Sequence, residues 1–130
     1  MCDTDWHYFK SSCYNWHPRN HTFDEARNIC RKQNGSLARV ITNESYEFIK
    51  ENILKTAESV KFWSALHRCH SSWYLWTDGT PLTYSSFRSG EPNNDNGNEH
   101  CIEVYSDATW NDQDCSKERE FICENRKLNN

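Results

Sequence analysis

Between Glu91 and Cys115 the chain carries a spaced run of oxygen donors: Glu91-Pro92-Asn93, then Glu99, then Asn111-Asp112, with Cys101 inside the run and Cys115 closing it. Three carboxylates and two amides suit calcium, a hard cation that takes about six to eight oxygens from carboxylates, amide carbonyls and water. An Asn that lends its carbonyl oxygen to the metal still has an NH2 to donate, and a Glu keeps a lone pair to accept. Donors and acceptors would therefore flank the ion in pairs. A vicinal diol could then set both hydroxyl oxygens on the metal, each hydroxyl accepting from an amide and donating to a carboxylate, so that the site reads the stereochemistry of a sugar. From Ser89 to Ser116 there is no Lys or Arg, whereas Glu91, Asp95, Glu99, Glu103, Asp107, Asp112 and Asp114 all fall in that stretch. The local field favours a cation.

These donors need a scaffold. Trp6 to Tyr14, with alternating Trp6 and Tyr8, predicts two short strands. Thr22 opens a helix through a capping box with Glu25; Phe23, Ala26, Ile29 and Cys30 share one face, and Asn34-Gly35 ends it. A second helix is expected from Asn43 to Lys55, with Tyr46, Ile49, Ile53 and Leu54 at helical spacing. Strands are predicted at Phe62 to Leu66, Trp73 to Trp76, Cys101 to Tyr105 and Glu120 to Glu124. Between the second and third of these, Thr83 to His100, rich in Ser, Asn, Gly and Pro, reads as a long structureless stretch, either functional or disordered, expected to order when calcium binds and to loosen without it. Trp63, Trp73, Trp76 and Trp110 are assigned to the core, and Trp16, His17 and Arg19 to a surface loop.

Composition narrows the function further. The chain has 130 residues, enough for one domain, residues 1–130. A net charge of -4, with scattered Lys and Arg, argues against a nucleic-acid partner. No apolar run approaches the roughly 20 residues of a membrane helix, so no membrane insertion is expected. Seven cysteines argue for an oxidising compartment and a secreted or extracellular setting, with the chain then a mature or trimmed form. His67, Cys69 and His70 do not make a zinc site, because neighbouring residues cannot all face one ion, and they are assigned to an exposed loop. No activated nucleophile or phosphate loop can be assembled, so an enzyme is not expected. A glycosidase pair among Glu91, Glu99 and Asp112 fits less well than metal binding, given the adjacent amides and proline.

The motifs Trp76-Thr77-Asp78-Gly79-Thr80-Pro81-Leu82, Gly90-Glu91-Pro92-Asn93, Asn98-Glu99-His100-Cys101, Trp110-Asn111-Asp112 and Phe121-Ile122-Cys123-Glu124 closely resemble the pattern of the C-type lectin domain family. The resemblance covers nearly the whole chain. It implies an α+β C-type lectin fold, two helices packed on antiparallel sheets with a long calcium-binding loop, stabilised by disulfides. It implies a Ca2+ ion held by Glu91, Asn93, Glu99, Asn111 and Asp112, the same five residues contacting the sugar. The Glu-Pro-Asn triplet implies mannose-type ligands with equatorial 3,4-hydroxyls, such as mannose, GlcNAc, fucose and glucose, on glycoproteins or cell surfaces. A cis Glu91–Pro92 bond is implied, aiming the carbonyl oxygens of Glu91 and Asn93 at one ion.

The resemblance also pairs Cys30 with Cys123, Cys101 with Cys115 and Cys2 with Cys13, each bridge contributing roughly 3–5 kcal/mol in the chain-entropy picture. Cys69 is left over, either free or in a disulfide-linked homodimer. Relatives with further calcium ions use acidic residues where this chain has Asn94 and His100, so a single calcium is expected, with Asp95 a partial substitute. His100, beside Glu99, would make ligand release sensitive to mild acid. Asp95, Asn96, Gln113 and Asp114 are candidates for a solvated rim or secondary sugar contacts. The alternative within the resemblance is a calcium-independent protein-binding domain of the same fold. Sequons at Asn20, Asn34 and Asn43 could carry glycans.

Overall fold

The Thr22 hydroxyl accepts from the Glu25 N–H at 3.3 Å while the Glu25 carboxylate accepts from the Thr22 N–H at 3.0 Å, so the capping box starts helix α1 (Phe23–Lys32). Phe23, Ala26 and Cys30 form its buried face. Asn34-Gly35 ends it as expected, with the Asn34 and Gly35 N–H groups donating to the carbonyls of Arg31 and Cys30. Asn34, at φ +62°, takes the left-handed conformation, and Gly35 is needed for proximity, because a Cβ there would meet the Glu124 carbonyl oxygen at 2.5 Å. In this computed structural model the described residues are 2–39, 43–53, 61–70, 73–76, 82 and 85–126. Helix α2 spans Asn43–Asn52 and buries Tyr46 and Ile49; Leu54 and Lys55 lie outside the described residues.

The strands are β1 (His7–Phe9), β2 (Ser12–His21), β3 (Ser36–Leu37), β4 (Lys61–His70), β5 (Trp73–Trp76), β6 (Cys101–Tyr105), β7 (Trp110–Gln113) and β8 (Arg119–Arg126). They join in one sheet in the order β1-β2-β8-β4-β6-β7, with β3 added on β8 and β5 on β4. All pairings are antiparallel except β4 with β8. The core holds Phe62, Trp63, Leu66, Ile102, Val104, Trp110, Phe121 and Ile122, all fully buried. Each such side chain contributes about 1.5–3 kcal/mol. Trp63 and Trp110 are therefore core, as is Trp76, which is 3% exposed; the side chain of Trp73 lies outside the described residues.

Two loop assignments need correction. Trp16, His17 and Arg19 belong to β2, because β8 offers a full partner edge and the His17 ring stacks on Phe121 with centroids 4.6 Å apart. The pairing is irregular only between His17 and His21, where Pro18 has no N–H to give the ladder. Likewise His67, Cys69 and His70 lie on β4, whose backbone is paired on both sides by β5 and β6. The half-buried His67 has its pKa lowered by burial and then by the nearby Arg27 charge. The side chains of Cys69 and His70 lie outside the described residues. The sequon residues Asn20, Asn34 and Asn43 are all exposed.

The three disulfides join Cys2 with Cys13, Cys30 with Cys123 and Cys101 with Cys115. The last ties the start of β6 to the segment after β7, and the Cys115 carbonyl accepts from the Phe23 N–H at 3.2 Å. Helix α1 and the β6–β7 hairpin thus share one anchor.

Candidate functional site

The site is built on that hairpin. Trp110, buried in the core, pins the incoming loop through its backbone: its N–H donates to Ser86 O at 2.8 Å and its carbonyl accepts from the Arg88 N–H at 2.9 Å. Glu91 then closes a turn on the Arg88 carbonyl at 2.8 Å, and its peptide bond to Pro92 is cis. Asn94, at φ +47°, reverses the chain into a short 3-10 turn over Asp95–Gly97. The expected structureless stretch therefore has internal order, including a bridge from Phe87 to Trp110.

Asp112 organises this loop. It is fully buried, and its Oδ1 accepts from the Asn93 N–H at 3.2 Å while Oδ2 accepts from the Asn94 N–H at 2.6 Å. Oδ2 also accepts from Arg68 Nη2 at 3.0 Å. The loop bonds continue with Asp95 N–H to Asn93 Oδ1 at 3.2 Å and to Glu99 Oε1 at 3.0 Å, and Glu99 N–H to Asn94 Oδ1 at 3.0 Å.

Of the five predicted residues, Glu91, Asn93, Glu99 and Asp112 surround one loop. Asn111 projects from the other face of β7, where its Nδ2 donates to Glu103 Oε2 at 2.8 Å and its carbonyl oxygen is left for another partner. Sequence reasoning counted Glu103 only as part of an acidic stretch. It is fully buried and takes four donors: Arg119 Nε at 2.7 Å, Asn111 Nδ2, Gln113 Nε2 at 3.3 Å and the Tyr105 hydroxyl at 3.2 Å. The signal that could have found it is a carboxylate inside the apolar run Cys101-Ile102-Glu103-Val104-Tyr105. Arg68 was missed as well, and nothing local to it in the sequence announces its role.

Electrostatics mark the loop as short of positive charge. Burial, the adjacent Asp112 carboxylate and Glu99 push the Glu91 carboxyl above the usual range, against a lowering contribution from the Asn93 backbone N–H. Glu99 is raised by burial first, then by the charges of Asp112, Asp95 and Glu103, against the Asp95 N–H. Among the described residues Glu91 Oε1 is buried with no hydrogen-bond partner, and so is the Tyr74 hydroxyl, whose pKa burial pushes up to about 12. Among the described residues no three His, Cys, Asp or Glu side chains converge as a metal cluster by themselves. The set around the loop mixes carboxylates with the amide oxygen of Asn93, the kind of donor calcium takes, while Asn111 stands on the other face of β7 against Glu103. A buried carboxylate oxygen without a partner among the described residues, and two carboxyls raised by burial and then by their neighbours, are what such a set leaves unsatisfied.

The Lectin C-type domain model matches residues 19–125. The chain is 32% identical to C-type lectin domain family 4 member G of Mus musculus over 127 residues, covering 97% of this chain and 43% of that protein, so it spans less than half of that relative's length. Among solved structures, the cow CD23 carbohydrate-recognition domain in the presence of a GlcNAc2Man3 oligosaccharide superposes with a TM-score of 0.88 at 27% identity, covering 99% of this chain and 98% of that one. Herring type II antifreeze protein superposes with a TM-score of 0.87 at 26% identity, covering 98% of this chain and 100% of the other. Domains of this kind are non-enzymatic binding modules that typically bind Ca2+. With the matched segment running from β2 through the loop and hairpin into β8, the chain belongs to the C-type lectin domain family.

Proposed function

We propose that residues 1–130 form one carbohydrate-recognition domain that binds mannose-type sugars through a Ca2+ ion held by Glu91, Asn93, Glu99, Asn111 and Asp112. The observation that carries this reading is the buried Oε1 of Glu91, which has no hydrogen-bond partner among the described residues and lies beside two further carboxylates. Calcium supplies Lewis-acidic positions for a vicinal diol. The chain's own residues orient it: amide N–H groups of the two asparagines donate to the hydroxyls, and the carboxylates of Glu91 and Glu99 accept from them. A shallow site of this kind holds a monosaccharide at about millimolar Kd, roughly -4 kcal/mol, so avidity requires several sites together. Three disulfides support an extracellular setting. A bridge through Cys69 to a second copy would supply two sites.

A glycan array read with calcium and with EDTA, and competed with free mannose and galactose, tests the reading. Calcium-dependent binding blocked by mannose is the expected result; blockade by galactose alone would refute the sugar class. The Arg68–Asp112 pair favours a second reading, a calcium-independent protein-binding domain, because it satisfies one carboxylate internally. Absence of calcium uptake by titration would select it.

Asn93→Ala is the cleanest variant. Asn93 is exposed and its side chain accepts, among the described residues, from the Asp95 N–H, so stability in chelator should change by no more than about 0.5 kcal/mol. Calcium-dependent sugar binding should disappear. Sugar binding retained at parental strength would remove Asn93 from the ligand set.

Acid should release the metal. Glu91 and Glu99 have folded-state pKa values raised above the unfolded value of 4.5, so protons compete with calcium from above the ordinary carboxylate range. The sign in chelator is opposite: raised carboxyls favour the folded state when protonated, so their contribution to stability falls as pH rises through that window. The difference in Tm between calcium and EDTA should therefore shrink from pH 7.5 towards pH 4.5. His100 is exposed, and its backbone carbonyl is the part that bonds Arg68. The shrinkage should persist in His100→Ala; its loss in that variant would assign the effect to the imidazole.

A further inference from the structure

Arg68 comes from the middle of the sheet, 44 residues before Asp112. Its side chain is 7% exposed against 0% for Asp112, with Nη2 at 3.0 Å from Oδ2. The same guanidinium donates through Nε to the Glu99 carbonyl at 3.3 Å, and the Arg68 backbone N–H donates to the His100 carbonyl at 2.7 Å. Its plane lies over the Tyr74 ring, 4.8 Å from the centroid, on the neighbouring strand β5. Asp112 in turn holds the N–H groups of Asn93 and Asn94. One side-chain cation therefore reaches both ends of the 93–99 loop, the far end directly and the near end through Asp112.

We propose that Arg68 is a tethered counter-ion that holds the 93–99 loop in its ligand-binding geometry without metal and limits the site to one divalent cation. The inference rests on the calcium reading above for its second half and on geometry alone for its first. Arg68 already neutralises Asp112 from one side, so the carboxylates of Glu91 and Glu99 are the ones left to be balanced by a bound cation. A second divalent ion beside Asp112 would stand next to a fixed guanidinium, which repels it. Arginine suits this work better than lysine, because its planar fork serves the Asp112 carboxylate and the Glu99 carbonyl at once. Arg68 acts through Asp112 and the loop backbone, so it is a positioning residue.

Hydrogen exchange at the Asn93 and Asn94 amides of the whole chain, in EDTA and in saturating calcium, tests this together with calcium titration. In Arg68→Met, exchange in EDTA should be about tenfold faster than in the parent, and calcium should restore it; a general loss of fold would not be restored. The parent should take up one calcium and Arg68→Asp two. Arg68→Lys keeps the charge but loses the fork, so a partial loss of protection in EDTA is expected, and this variant carries the test if Arg68→Met does not fold. Parental protection in both Arg68→Met and Arg68→Lys, or two calcium ions in the parent, would overturn the proposal. If the parent takes up no calcium, the calcium reading fails together with the one-ion limit, while exchange in EDTA still decides the positioning role.

Discussion

Asp112→Ala should destabilise the domain by about 3–5 kcal/mol even in chelator, because it leaves the Arg68 guanidinium buried without its carboxylate. The backbone N–H groups of Asn93 and Asn94 lose their acceptor in the same step. An expectation drawn from the ligand list alone would be loss of calcium with the fold intact. The structure makes Asp112 a loop support as well, since all of its described bonds are to the protein. Denaturant unfolding in EDTA would show the effect directly. Unfolding free energy within about 0.5 kcal/mol of the parent would mean that Arg68 reaches solvent or another partner at little cost. Pairing the change with Arg68→Met should recover part of the loss, because two apolar groups leave no buried charge behind.

The second large effect is expected at Glu103, which no ligand list includes. Glu103→Ala should cost about 3 kcal/mol and weaken calcium binding by roughly 10–100-fold, the usual range for a residue that orients a metal ligand. Four donors converge on this buried carboxylate, and one of them, Asn111 Nδ2, sets which way the Asn111 carbonyl oxygen faces. Arg119, 21% exposed, can turn towards water, whereas the amides of Asn111 and Gln113 both donate to the same Oε2 and lose that shared acceptor. Glu103→Gln should be nearly as harmful. Its NH2 would face either Arg119 or the amides, donor against donor. Calorimetric titration of calcium into both variants, beside thermal unfolding in EDTA, separates the two effects. Parental calcium affinity in Glu103→Ala would show that the orientation of Asn111 does not depend on this contact.

Much of the scaffold was legible because its signals are local. A capping box is a four-residue pattern, and Thr22 and Glu25 make both of its bonds. Cys101–Tyr105 and Trp73–Trp76 carry enough β-branched and aromatic residues to mark strands at their observed bounds. Strands that are very short or locally polar were harder to see. β3 has two residues, and β7, Trp110-Asn111-Asp112-Gln113, carries three polar residues out of four; pairing with β8 and β6 makes them strands. β2 runs past its expected end for the same reason, through a proline that propensity alone would treat as a break.

At the site, the sequence by itself determined the type and spacing of the oxygen donors, and with them the family and the kind of ion that five such groups suit. Donor chemistry belongs to each residue, so it can be read without coordinates. The tertiary structure alone decided the charge balance. Within residues 89–116 the chain has no arginine or lysine, yet folding brings Arg68 from β4 onto Asp112 and Arg119 from β8 onto Glu103. Sheet order sets those meetings, since β4 lies between β8 and β6 and places residues more than 40 positions apart side by side. Coulomb energy depends on distance in space and on burial rather than on separation along the chain, so a window of sequence that reads as purely acidic can fold into a site with its own built-in cations.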